Sequence, residues 1–267
     1  MAEPEETPRP GLLWERMPES AWTVASLILV FGVWEAGVRT LRIRSYLLPP
    51  PSEVFVALTE HWRNLVNQSL VTMGEVVVGF GAAAVVAIPL AMLIVVSPVL
   101  ERLLYPPMVA TQSIPKIALA PLFIVWFGFG TTPKVAVAFL ISFFPVLVDT
   151  IVGLRGIDPA MIQLARSMGA PPHRIFLKLR LPNALPNVFG GLKVASTLAV
   201  VGALTGEFIG SDRGLGYVLV HASAQLNTPL LFGTLVVLSL LAMAFFFGVE
   251  AVERLLIPWH VSQRARS

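Results

Sequence analysis

The chain has 267 residues, 55% of them hydrophobic and only 13% charged, with a mean hydropathy of +0.76 and a formal net charge of +3. That balance is far more apolar than an ordinary globular domain and marks an integral membrane protein, long enough for about six spans of roughly 20 residues. The absence of cysteine excludes disulfides, thiolate catalysis and cysteine-held metals, and the basic residues sit mostly in span-flanking loops, which lipid topology explains without nucleic acid.

Residues 1–20 are polar, carry Glu3, Glu5 and Glu6 with several prolines, and read as a cytoplasmic tail. A first span is expected over 22–38. Arg39, Arg42 and Arg44 follow it where a cleavable signal would carry small residues, so it reads as a retained anchor. Leu48-Pro49-Pro50-Pro51 then breaks the chain, and Ser52 is expected to cap a segment with Val54, Phe55, Leu58, Trp62 and Leu65 on one face. That spacing suits a helix on the membrane surface or a loop helix packed on a bundle. The expected organisation is therefore a first span with an external interfacial helix over 21–68, a core of spans over 69–257, and a second cytoplasmic tail over 258–267.

Within that core, spans are expected over 70–96, 104–127, 135–154, 186–209 and 230–256. Pro89, Pro106, Pro107, Pro115, Pro121 and Pro145 are expected to interrupt them. Inside lipid a broken helix needs neighbours or water for its freed backbone groups, so spans two to five are expected to surround a protein interior.

Between spans four and five lies a polar, proline-bounded insert, residues 155–186. Asp158 is a natural N-cap, Pro159 suits the first helical position and Gly169 the left-handed position past the end, which predicts one short helix. Pro171 and Pro172 can open a second helix that Leu181-Pro182 should close. Two short helices bent at Gly169 make a compact knob. Met161, Ile162, Ala165 and Met168 form an apolar side of the first, with Gln163, Arg166 and Ser167 elsewhere around it. With both termini inside, the cytoplasmic side holds Arg9, Arg16, Arg102, Arg155, Arg166, Arg174, Lys178, Arg180, Lys193, Arg254, Arg264 and Arg266. The outside holds Arg39, Arg42, Arg44, Arg63, Lys134 and Arg213, so the knob faces the cytoplasm, where a soluble partner can reach it.

Ionisable residues inside spans are expensive unless they face protein or water. Glu75, Lys116, Asp149 and Glu207 qualify. Glu207, just before a glycine-rich turn over 210–216, suits a gate or a hydrogen bond that ties helices. Lys116 follows Pro115 at a helix break, where it can attract an anionic solute or pair with Glu75 or Glu207. Asp149 can anchor a lysine such as Lys193. Thr111, Gln112 and Ser113 add neutral hydrogen bonders to the third span, though polar residues also bind helices together. His61, His173, His221 and His260 are scattered without metal-ligand spacing, and no Gly-Lys dipeptide exists to build a phosphate-cradling loop.

The knob resembles the EAA loop, E-A-A-x3-G-x9-I-x-L-P, of permease subunits in ABC importers. Here its positions read Gln163, Leu164, Ala165, Gly169, Leu179, Leu181 and Pro182, with Gln for Glu, Leu for Ala and Leu for Ile. Leu48-Pro-Pro-Pro-Ser52, Ser113-Ile-Pro-Lys-Ile-Ala-Leu-Ala-Pro-Leu122, Trp126-Phe-Gly-Phe-Gly130 and Glu253-Arg-Leu-Leu-Ile-Pro-Trp259 are similar to the nitrate, sulfonate and taurine branch of that family. The likeness is co-linear over 47–260. The run from Glu207 to Gly216 and Asn227-Thr-Pro-Leu230 also resemble relatives that carry thiamine pyrimidine precursors or riboflavin. The resemblance implies an all-α, MetI-like polytopic fold of about six transmembrane helices with a cytoplasmic coupling helix. It implies a bacterial inner-membrane location and a non-enzymatic transport subunit without a cofactor of its own, ATP and Mg2+ being handled by a partner ATPase. The implied partners are cytoplasmic ABC ATPase subunits, a periplasmic or lipoprotein solute-binding protein, a second permease copy in a homodimer, and membrane lipid, with no nucleic acid. Asp158, Gln163, Ala165, Arg166, Ser167, Gly169, Ala170, His173 and Pro182 are the implied coupling residues, and Gln112, Ser113, Lys116, Glu75 and Glu207 the candidates for the path. An ion-coupled secondary transporter would show repeats between halves, and none is visible. A membrane-embedded enzyme would need a catalytic cluster that the scattered histidines do not supply.

Overall fold

The computed structural model describes residues 19–258. All but residues 19, 20 and 258 of the two expected tails lie outside that range, as do Arg9, Arg16, Arg264 and Arg266, and Trp259 and His260 of the closing run. The described residues form helices and no strand: α1 (Glu19–Thr40), α2 (Pro51–Glu60), α3 (Trp62–Val96), α4 (Pro98–Thr111), α5 (Ala120–Phe127), α6 (Thr131–Arg155), α7 (Pro159–Ser167), α8 (Pro172–Ile175), α9 (Leu181–Gly210), α10 (Leu215–Ala224) and α11 (Thr228–Leu256).

Among the described residues five stretches are long and apolar enough to cross a membrane: Trp22–Thr40, Trp62–Val96, Thr131–Arg155, Pro172–Gly210 and Thr228–Leu256. Pro98–Thr111 and Lys116–Phe127 make a sixth if this pair, bent by 90°, is one span. The break expected at Pro115 is present, while the span expected over 104–127 begins earlier, at Pro98. Pro115 has no N–H and holds Ile114 away from helical dihedrals, so the helix stops before it and resumes as a 3-10 turn at Lys116–Leu119. The other prolines behave differently. Pro89, Pro106, Pro107 and Pro145 were expected to interrupt spans but lie inside α3, α4 and α6. Each removes one hydrogen bond, a loss that a bundled helix tolerates.

Leu181-Pro182 does not close a helix either. The chain runs on from Pro172 to Gly210, passing through a π-turn at Phe176–Arg180 in which Leu181 N–H donates to the carbonyl of Phe176. A wider turn there relieves the collision between a proline ring and the carbonyl four residues back. The fifth span, expected over 186–209, is therefore longer. The expected boundary between 68 and 69 likewise falls inside α3.

Antiparallel α6 and α9 make the tightest pair, because glycines let the backbones approach. A Cβ on Gly202 would lie 2.6 Å from the Ala138 Cα, and one on Gly206 would lie 2.7 Å from the Lys134 Cα. This Gly-x-x-x-Gly face is a small-residue seam of the kind that packs helices in membranes. On the other side of Ala138 lies Gly79 of α3, completing a three-helix centre. One apolar cluster fills the centre near Ile94, Leu147, Leu154 and Ala184, and a second fills it near Leu65, Val76, Leu215 and Leu230. The third span lies at the edge of this centre: α4 buries no residue but packs Leu104, Tyr105 and Met108 against the first cluster, and α5 buries Ala120 beside Val137 and Ile141 of α6.

Helix α1 is exposed along most of its length, including Ile28 and Leu29. Its ties to the rest include Trp34 against Phe232 of α11 and Glu35, which accepts from the Ser52 hydroxyl at 2.8 Å and the Ser52 N–H at 3.1 Å, and is held within α1 by Arg39 Nε at 2.6 Å. Ser52 is thus not the cap of α2. Pro50 occupies that position without a side-chain bond, and the carboxylate of another helix serves the first-turn N–H instead. Helix α2 buries Val54 and Ala57, lays Leu58 over Gly233 of α11 and leaves Phe55 exposed, as is Trp62 at the start of α3.

Candidate functional site

The knob forms as its capping residues dictate. Asp158 accepts from the Ala160 N–H at 2.8 Å, and Pro159 opens α7. At the other end Gly169 takes φ +76°, the Gly169 N–H donates to Arg166 and the Ala170 N–H to Ala165. These two bonds are a Schellman motif, which satisfies carbonyls that the last turn leaves free. Ser167 Oγ donates to the Gln163 carbonyl at 3.0 Å. Gln163, Arg166, Ser167 and His173 are exposed; Ala165, Ala170 and Pro182 are half-buried. The apolar side differs from the expected one. Ile162 and Ala165 turn partly inward, whereas Met161, Leu164 and Met168 are 52%, 63% and 79% exposed. This is an apolar stripe at three- and four-residue spacing on a doubly capped helix, left exposed by the rest of the chain.

At the other end of α6, roughly 35 Å away at 1.5 Å per residue, buried charges gather. Lys134 Nζ stands 2.9 Å from Glu75 Oε1, with both side chains buried. Glu207, also buried, accepts from the Thr72 hydroxyl at 2.6 Å and from the Gly216 N–H. Thr72 Oγ1 accepts in turn from the Leu215 N–H at 2.9 Å, and Gln68 Oε1 from the Gly214 N–H at 2.6 Å. The cluster fastens α3, α6 and α9 to the start of α10. Gly214 takes φ +99°, and a Cβ there would strike Glu207 Oε1 at 2.0 Å, so no other residue fits beside the carboxylate.

Sequence reasoning missed two parts of this arrangement. Lys134 was expected in an outer loop, but it lies in the first turn of α6, where Gly206 presses against its Cα and Cβ. Helix α10 was not expected; only its first two residues, Leu215 and Gly216, fall in the glycine-rich turn expected over 210–216. The Gly202-x-x-x-Gly206 spacing was the available signal, since it requires a close neighbour at the level of 134–138.

The remaining charges choose other partners than expected. Lys116 pairs with neither Glu75 nor Glu207; its Nζ lies 4.5 Å from the centre of the Phe144 ring. The break between α4 and α5 sets it apart from the cluster, and a ring face is what α6 offers there. Thr111 donates to the Met108 carbonyl, and Gln112 and Ser113 are exposed at the same break. Asp149 does not hold Lys193. Gly191 is the α9 residue that faces Asp149, and Lys193, two positions on, turns to Glu253 of α11 at 2.8 Å. Among the described residues no three His, Asp or Glu side chains are grouped to hold a metal ion.

Comparison with known proteins adds the following. Residues 77–260 match the family model described as binding-protein-dependent transport system inner membrane component. The chain is 35% identical over 237 residues to the formylaminopyrimidine transport permease protein ThiX of Halalkalibacterium halodurans, covering 88% of this chain and 94% of that one. It is 36% identical over 242 residues to the riboflavin transport system permease protein RibX of Chloroflexus aurantiacus, covering 89% of each. With the taurine transport system permease protein TauC of Escherichia coli it shares 27% over 259 residues, 92% of each. Among solved structures, a chain of the MetNI methionine ABC transporter, inward facing, has the same fold with a TM-score of 0.64 at 22% identity, covering 73% of this chain and 97% of that one.

Proposed function

The chain belongs to the family of binding-protein-dependent transport system inner membrane components, and on that premise we propose that it forms the translocation path of an ATP-driven ABC importer. The observation that carries this reading is the exposed Met161, Leu164 and Met168 stripe on a helix fixed at both ends. In the proposal, α7 is seated in a cytoplasmic ATPase subunit that binds ATP and Mg2+, because this chain has no phosphate-binding loop. A push on α7 passes through Gly156 to α6 and through the Gly169 turn to the 172–210 helix. Those two are the glycine-packed pair, so they move together and carry the push to the opposite end.

At that end the solute arrives from an external binding protein, periplasmic or lipoprotein. Glu75, Lys134 and Glu207 hold the outer end as a latch; Gln112, Ser113 and Lys116 at the α4–α5 break line the path. A second copy of the chain supplies the other half, both termini are cytoplasmic, and the assembly sits in a bacterial inner membrane. Two cargo readings have support. Identities of 35% and 36% with permeases named for a formylaminopyrimidine and for riboflavin, against 27% for taurine, favour a heterocyclic solute. Lys116, a cation facing a ring rather than a carboxylate, favours a nitrate- or sulfonate-like anion.

Copurification and uptake test this together. The chain should bring down an ATPase subunit from membranes, and proteoliposomes holding both with a binding protein should show vanadate-sensitive, ATP-dependent uptake that the Gly169→Val substitution abolishes. Uptake that follows an ion gradient and ignores vanadate would contradict the proposal.

A further inference from the structure

A cavity of about 970 Å³ opens between the end of α3, the knob and the start of the 172–210 helix. Its walls are of two kinds. Val95 and Val96, the last residues of a membrane-crossing helix, and Phe176 make an apolar side; Arg166, His173 and Arg180 make a basic one. None of the three has a carboxylate within ion-pair distance among the described residues, although Arg155, close by in sequence, is matched by Glu101 at 2.8 Å. The cavity therefore offers cationic donors beside an apolar wall that continues into the lipid-crossing part of the fold.

We infer that this groove binds one anionic phospholipid, its phosphate between Arg166 and Arg180 and an acyl chain along Val95, Val96 and Phe176. A soluble phosphate would use only the basic side and leave the apolar wall bare to water, whereas a headgroup with its chain covers both. Basic pockets between helices at the membrane boundary suit acidic headgroups. Arg166 and Gly169 also belong to the proposed coupling helix, so a lipid held here would brace the joint between α7 and the 172–210 helix. The inference does not depend on what the protein transports.

Native mass spectrometry of the full chain in detergent, titrated with phosphatidylglycerol or phosphatidylcholine, tests it. One phosphatidylglycerol should be retained preferentially. Arg166→Gln and Arg180→Gln should each weaken retention about fivefold, and the double substitution about twenty-five-fold. Arg213→Gln, at the opposite end, should change nothing and controls for general charge loss. Because Arg180 is half-buried, the exposed Arg166→Gln gives a readout that does not depend on Arg180 variants folding. Equal retention of the two lipids would overturn the inference, as would unchanged binding in Arg166→Gln. So would displacement by millimolar inorganic phosphate, which would make this a free-anion site, or loss of the lipid when an ATPase subunit is bound, which would make it a protein contact.

Discussion

Lys134 and Glu75 are 4% and 3% exposed, so each is tolerable only because of the other. Lys134→Met leaves Glu75 and Glu207 as two buried carboxylates without their cation, and should cost about 3–5 kcal/mol in denaturant unfolding of the purified chain. The double variant Glu75→Leu with Lys134→Met should recover most of that; a double variant no better than the single would show that the pair is not what holds this end. Gly169 makes a different kind of prediction. Nothing lies within 4 Å of a Cβ there, so the cost of Gly169→Val comes from its φ of +76° alone, about 1–2 kcal/mol. Gly169→Asn should cost less, since Asn accepts that conformation. Equal losses for both would place the fault in packing. At this scale the sequence was legible where chemistry is local: Asp158, Pro159 and Gly169 announce a helix start and stop. It was not legible where partners come from distant segments, and the sequence separation of 59 from Glu75 to Lys134 hides a bond that only the fold creates.

Among elements, the α6–α9 seam governs the rest. Gly202→Ala would put a methyl 2.6 Å from the Ala138 backbone, and neither helix can yield without moving the other. A loss of about 3 kcal/mol or more is expected by analogy with overpacked cores. Gly248→Ala in α11, where a Cβ meets nothing, should lose no stability and gain up to about 1 kcal/mol from helix propensity. If Gly202→Ala is as mild as Gly248→Ala, the seam is looser than described. Spans with uninterrupted apolar runs were readable from composition because length and hydropathy suffice. The third span was legible at its break, which Pro115 announces, but not in its 90° bend, and Pro89, Pro106, Pro107 and Pro145 read as breaks because a proline inside a helix and a proline that ends one look alike in sequence. Pro145 is carried through where α6 packs on α9, with Gly191 against its carbonyl, but Pro89, Pro106 and Pro107 are exposed like Pro115 and still lie inside helices. The π-turn before Pro182 is a compromise of the same kind, invisible in sequence because it arises from a proline that the helix passes through rather than stops at.

For the whole molecule, the glycine-packed α6–α9 pair connects two ends: an exposed apolar stripe on α7, just after α6, and a buried charge cluster at the start of α6. The proposed orientation rests on the distribution of basic residues, and the absence of native cysteine makes it testable. A thiol placed by Met168→Cys should react with a membrane-impermeant maleimide only after the membrane is opened, and one placed by Asp212→Cys should react in intact cells. The reverse pattern would invert the topology. The most direct measurement uses the same clean background. Leu164→Cys, at the middle of the exposed α7 stripe, should crosslink to an ATPase subunit in membranes through a short bifunctional reagent, and Asp212→Cys should not. If Leu164→Cys captures no such subunit while the protein still imports its solute with ATP, the coupling role assigned to α7 is wrong.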